Sequence, residues 1–166
     1  MVRSLIVIAL LWLPACGPGA KGGPSMNNKI GGPEVGPPVS PVVSADIMAR
    51  DPIANDAQVK HILIGWKDLA DQYDGRIDKR AAARTKADAE TEVKSLVGQL
   101  RAGAEFDTLM KAHSEDPGSA QTARPYTVTP DAQLVIEFRQ LSLRLKVDEI
   151  GVVESDFGFH IIKRLF

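Results

Sequence analysis

From residue 57 to the C-terminus the apolar side chains recur with two periods, and the changes of period divide the chain into elements. Ala57–Ile64 alternates, with Val59, His61 and Leu63 on one face and Lys60, Ile62 and Ile64 on the other, which predicts a strand. Residues 65–78 are polar, mixing Lys67 and Arg76 with Asp68, Asp71, Asp74 and Asp78, and read as a loop. The period then lengthens. Ala89, Val93, Leu96, Val97 and Leu100 fall at i, i+4, i+7, i+8 and i+11, predicting one long helix with Asp78 as its N-cap and Gly103 as its stop. Phe106, Leu109, Met110 and His113 form the stripe of a short second helix, which Pro117-Gly118 is expected to break. Tyr126-Thr-Val128 suits a short strand. Leu134, Phe138, Leu141 and Leu145 define a third helix.

The chain ends on its most hydrophobic segment. Residues 151–154 predict a strand, Ser155 and Asp156 a turn, and residues 157–166 a second strand, rich in aromatic and β-branched side chains. His160 lies mid-strand on the face of Gly158 and Ile162, so an imidazole projects from an apolar surface. The predicted order is β-α-α-β-α-β-β. Its fold class is α+β, a four-stranded, mostly antiparallel sheet flanked by helices.

Composition adds organisation rather than chemistry. The 166 residues carry a net charge of −1, which gives no electrostatic ground for nucleic acid as a partner. Residues 1–15 hold Arg3 and then nine apolar residues, Leu5 to Leu13, too few to span a bilayer and suited to a secretory leader. Leu13-Pro-Ala-Cys16 resembles the lipobox of bacterial lipoproteins, in which the cysteine is lipidated; an ordinary leader with an incidental cysteine is the alternative. Cys16 is the sole cysteine, so no intramolecular disulfide forms. Between residues 17 and 44, 13 of 28 residues are Gly or Pro, the composition of a flexible tether. The expected organisation is a leader over residues 1–15, a lipidated Cys16 and tether over 16–55, and one domain over 56–166. Gly17, in place of an aspartate, suits an outer-membrane anchor facing the periplasm.

Four segments together resemble a known family. Val59-Lys-His-Ile-Leu-Ile64, Phe106-x-x-Leu-Met110 leading into Ser114-Glu-Asp116, the Phe138 helix running to Leu145, and Phe157-Gly-Phe-His-Ile-Ile162 are similar to the parvulin-type peptidyl-prolyl cis/trans isomerases. The resemblance spans roughly residues 56–166 and implies that family's four-stranded sheet. It also implies a site in which His61 and His160 face one another on central strands, with Asp116 beside them. Ser155 would bond one imidazole, and Tyr126, Leu134 and Phe138 would line a proline pocket. Each residue has a structural alternative: the histidines as packing, Asp116 as turn chemistry before Pro117-Gly118, Leu134 and Phe138 as core.

The implied chemistry needs no cofactor and no metal, because rotation about an X–Pro bond makes and breaks no covalent bond. The three histidines and Asp116 also show no local ligand pair of zinc-site spacing. Expected partners are X-Pro segments of unfolded or folding envelope proteins, and the membrane through Cys16. A parvulin-like domain that holds peptides without useful catalysis is the competing expectation. The chain departs from the family's pattern at residues 124–127 (Arg-Pro-Tyr-Thr), where a glycine-rich segment is common, and at Ile136 and Asp148. The sign-mixed run Gly65-Trp-Lys-Asp68 argues against recognition of phosphorylated Ser/Thr-Pro.

Overall fold

The computed structural model describes residues 39–166; the leader, Cys16 and the tether up to residue 38 lie outside the described residues. The expected sheet is present, with strands β1 (Ala57–Ile64), β2 (Tyr126–Val128), β3 (Ile150–Ser155) and β4 (Gly158–Arg164) in the order β2-β1-β4-β3. Every pairing is antiparallel, and the two longest strands lie side by side at the centre.

Because side chains alternate across a strand, the sheet has two differently dressed faces. One carries Ile62, Ile64, Val152, Phe159 and Ile161, packed under Val93, Leu96, Phe106 and Met110 of helices α3 (Lys86–Arg101) and α4 (Phe106–His113). The other carries Val59, Val153 and Ile162, packed against α1 (Ala45–Met48) and α6 (Ile136–Ser142) through Ile47, Phe138 and Leu141. His61 and His160 belong to this second face. Its cover is short. Gly151 allows α6 to approach β3, since a Cβ there would sit 3.0 Å from Leu141 Cδ1 and 3.1 Å from Leu145 Cδ2. The helix therefore covers the lower part of the face, and the end bearing the histidines stays open as a cavity.

Three expectations about elements are corrected. The long helix from Asp78 is two helices. Asp78 caps only α2 (Lys79–Ala82), accepting from Arg80 N, and Thr85 starts α3. Thr85 Oγ1 accepts from Asp88 N while Asp88 accepts from Thr85 N, a reciprocal capping box that ends one helix and begins another. Pro117 breaks no helix. It occupies the first turn of α5 (Pro117–Thr122), where its missing N–H costs nothing, with Asp116 as N-cap. The 65–78 loop contains a 3-10 segment, Lys67–Tyr73, ended by Asp74 and Gly75 at positive φ.

The folded body also begins before the expected boundary at residue 56. Ser44 N donates to Val152 O at 2.9 Å and Val152 N to Ser44 Oγ at 3.0 Å, so the strap covers part of edge strand β3. Ile47 is buried in the core. Arg50 forms a two-pronged bond to Glu149 at 2.8 and 2.9 Å, and Ile53 N donates to Leu143 O. These contacts fix residues that Gly/Pro content alone assigns to a tether.

Candidate active site

The antiparallel register of β1 and β4 sets Leu63 opposite His160 and His61 opposite Ile162, which brings the two imidazoles diagonally together on one face. Their Nδ1 atoms are 3.2 Å apart and the rings lie 23° from parallel. Each is held on its far side. His61 Nε2 is 2.9 Å from Asp116 Oδ2, and His160 Nε2 is 2.8 Å from Ser155 Oγ, which accepts in turn from Phe157 N.

For two neutral rings, donor and acceptor inventories fix the protons. A carboxylate only accepts, so His61 donates from Nε2. His61 Nδ1 accepts from His160 Nδ1–H, and His160 Nε2 accepts from the Ser155 hydroxyl. One directed chain runs from Phe157 N–H to Asp116. Burial pushes the pKa of His160 down to about 3, with His61 as the second cause, so this ring is neutral at ordinary pH.

Asp116 is the anchor of the chain. Oδ2 accepts from His61, from Tyr126 OH at 2.8 Å, and from Ser119 Oγ at 2.6 Å and N at 3.2 Å, while Oδ1 accepts from Gly118 N. The hydrogen bond from His61, with those from Ser119 and Tyr126, holds its carboxyl well below the usual carboxylate range against the opposing pull of burial. The aspartate is thus both the cap of α5 and the partner of a histidine, and its Oδ2 is fully used by the protein.

The cavity beside the chain has a volume of about 340 Å³. Phe138 meets both imidazoles edge-on, at 5.1 Å from His61 and 5.4 Å from His160, and Tyr126 meets His61 at 5.2 Å. Leu134 and Val135 complete that wall. All seven candidate residues of the site, His61, Asp116, Tyr126, Leu134, Phe138, Ser155 and His160, therefore converge, six of them lining the cavity and Ser155 bonded behind it. Cys16 lies outside the described residues. Tyr126 does more than line a wall: the segment that departs from the family's glycine-rich pattern supplies a hydroxyl to Asp116.

Sequence reasoning did not find Ser119, Tyr73, Glu115, Gln133 or Phe157. Ser119 is legible as the third residue after a capping aspartate, a position that such side chains reach. Tyr73 sits in a non-periodic stretch, where a lone aromatic among polar residues is the only signal; Phe157 reads as the first residue of the last strand, whereas β4 begins at Gly158 and leaves Phe157 in the turn. Among the described residues no cluster of three or more His, Cys, Asp or Glu side chains is placed to hold a metal ion.

A hydrogen-bonded histidine pair, held between a serine and an aspartate, thus lies at the floor of a largely apolar cavity on a four-stranded antiparallel sheet. Residues 46–165 match the family of PPIC-type peptidyl-prolyl cis/trans isomerase (PPIase) domains, and the chain belongs to that family. It is similar to the foldase protein PrsA of Geobacillus kaustophilus, 31% identical over 122 residues that cover 73% of this chain and 43% of that protein. It is also similar to the chaperone SurA of Alkalilimnicola ehrlichii, 38% identical over 80 residues covering 48% of this chain and 18% of SurA. The chain thus spans less than half the length of these curated relatives. Among solved structures, the solution structure of TbPIN1 matches with a TM-score of 0.57 at 20% identity, over 69% of this chain and 100% of that one, a likeness of fold.

Proposed function

We propose that this domain catalyses cis/trans isomerisation of X–Pro bonds in unfolded or folding polypeptides. The observation that carries the reading is the His61–His160 pair, fixed between Ser155 and Asp116 at the floor of an apolar cavity. Family membership supports it, as do relatives named as foldase and chaperone.

The physics follows from the amide. Rotation about X–Pro meets a barrier of about 18–20 kcal/mol because resonance is lost at the twisted state, and uncatalysed exchange takes roughly tens to hundreds of seconds. A catalyst must favour the twisted amide over both planar forms. Resonance in the planar form places negative charge on the carbonyl oxygen and double-bond character in C–N. A fixed carboxylate near that oxygen disfavours this charge distribution, and twisting relieves the repulsion. Asp116 plays this part through its charge, held in place by the bonds to Oδ2. His61 and His160 are positioning residues: they hold the carboxylate and hydroxyl in register, and the buried His160 adds no positive charge to the cavity. Tyr126, Leu134 and Phe138 grip the prolyl ring and exclude water, which would stabilise the more polar planar amide.

Cys16, where the leader motif ends, is read as the lipidated residue that tethers the domain to a bacterial envelope membrane, with clients in the periplasm. Incorporation of labelled fatty acid into the full chain and its loss in Cys16→Ser tests this anchor. For catalysis, Asp116→Asn keeps the shape of the side chain and removes its charge. It is expected to lower kcat/KM at least about tenfold, the scale of one fixed electrostatic contact. Unchanged exchange in this variant would contradict the assignment.

A further inference from the structure

The cavity has a second end. Opposite Phe138 it is walled by Tyr73, Phe157 and Glu115. Tyr73 arrives on the 3-10 segment and is fastened to the β3–β4 turn, its hydroxyl donating to Phe157 O at 2.6 Å; the two rings meet edge to face at 5.6 Å. This end is therefore aromatic, and it is closed by contacts that the histidine chain does not use.

Its charges are of one sign. Glu115 and Asp116 line the cavity, and none of the described lining residues is Lys or Arg. Behind Glu115, Arg84 is shared between two carboxylates, at 2.5 Å from Glu115 and 3.1 Å from Glu92. Arg80 is paired with Asp78, and Arg76 with Asp74. Asp116 is bonded by His61, Gly118 N, Ser119 and Tyr126. Glu115 also accepts from Gly65 N at 2.6 Å, and burial raises its carboxyl above the ordinary value. The described lining thus carries two carboxyl groups and no Lys or Arg. Tyr73 feels them: its pKa is pushed up to about 12, first by burial and then by Glu115 and Asp116.

We propose that the Tyr73–Phe157–Glu115 end is the subsite for the residue preceding the proline, and that it selects arginine or lysine there. This rests on the prolyl-isomerase reading for the orientation of the peptide. With the prolyl ring among Tyr126, Leu134 and Phe138 and its amide beside Asp116, the preceding residue falls beyond Asp116, at the Tyr73 end. A guanidinium or ammonium group there lies against aromatic rings, whose faces attract cations within about 6 Å, and inside the field of the carboxylates. A glutamate or phosphoserine at the same position meets like charge and no compensating cation.

The test uses the full chain and three short peptides that differ only before proline, carrying Arg, Leu or Glu. Two readouts are taken: kcat/KM from NMR exchange, and Kd from chemical-shift titration. The expected order is Arg above Leu above Glu in both, with about tenfold between Arg and Glu at about 0.02 M salt, shrinking at about 0.5 M as screening shortens the field. Tyr73→Leu keeps apolar bulk and removes the aromatic face, and is expected to lower the Arg-to-Leu ratio severalfold. Acceleration with equal preference, or with Glu at least as good as Arg, overturns the subsite and leaves the isomerase reading standing. Arg-selective binding without acceleration overturns the isomerase reading and leaves the subsite. Absence of binding by every peptide overturns both.

Discussion

His160 is kept neutral by the burial of its ring among apolar strand residues, and this has a consequence for stability. Its pKa falls from an ordinary 6.5 to about 3 on folding, so between those values the unfolded chain takes up a proton that the folded chain refuses. The contribution of a neutral His160 is therefore fully present above about pH 6.5 and is lost as pH falls toward 3. Asp116 acts in the same direction further down: its depressed carboxyl stabilises the fold above the ordinary value of 3.8, and that stability is lost as pH falls below it. Urea midpoints at about pH 7, 5 and 4 should decline steadily, and His160→Gln should flatten the upper part of the decline. A midpoint independent of pH over this range would show that the imidazole is not held neutral by burial. The residue types of the site were legible because His, Asp and Ser stood out against apolar strands. The anchoring of Asp116 was not, because Ser119 and Tyr126 reach it from α5 and β2, three and ten positions away.

Among the elements, strands were the most legible. Ala57–Ile64 and Tyr126–Val128 follow the alternation of the sequence to the residue, β1 packing both of its faces into cores and β2 one. The division between α2 and α3 was hidden by Ala81, Ala82 and Ala83, strong helix formers that continue the pattern across the break. Thr85-x-x-Asp88 decides against them by supplying both bonds of a cap. Thr85→Ala is expected to lower stability by about 1 kcal/mol in urea unfolding; no loss would show that the box is incidental. Gly158 carries a larger constraint. It sits at φ 131°, and a Cβ there would lie 2.6 Å from Ile64 O, against the neighbouring strand. Gly158→Ala should cost at least about 2 kcal/mol and shift the turn that holds Ser155 and Phe157, so stability and exchange rate should fall together.

For the whole molecule, the strap before β1 joins the two faces of the sheet. Val42 packs with the α3 side and Ile47 with the α6 side, and between them Ser44 bonds the edge of β3. The sequence shows this region as prolines and glycines thinning out after residue 41. Its packing depends on Val152, Glu149 and Leu143, about a hundred positions later, which local pattern does not reveal. Ile47→Ala is expected to lower the folding free energy by about 2–4 kcal/mol, as for a buried aliphatic side chain, with kcat/KM per folded molecule retained. A lost rate at full folding would instead place the strap in the site. The sheet, the helices on its two faces and the open end over the histidines follow from residues 40–166 together.

Catalysis by this site is tested most directly by cis/trans exchange in a short unphosphorylated X-Pro peptide, followed by NMR with substoichiometric protein, for the native chain and for Asp116→Asn. The prediction is exchange well above the uncatalysed rate with the native chain and at least about tenfold slower catalysis with the variant. Peptide binding that leaves the exchange rate unchanged in both would contradict catalysis and identify the cavity as a site that holds peptides.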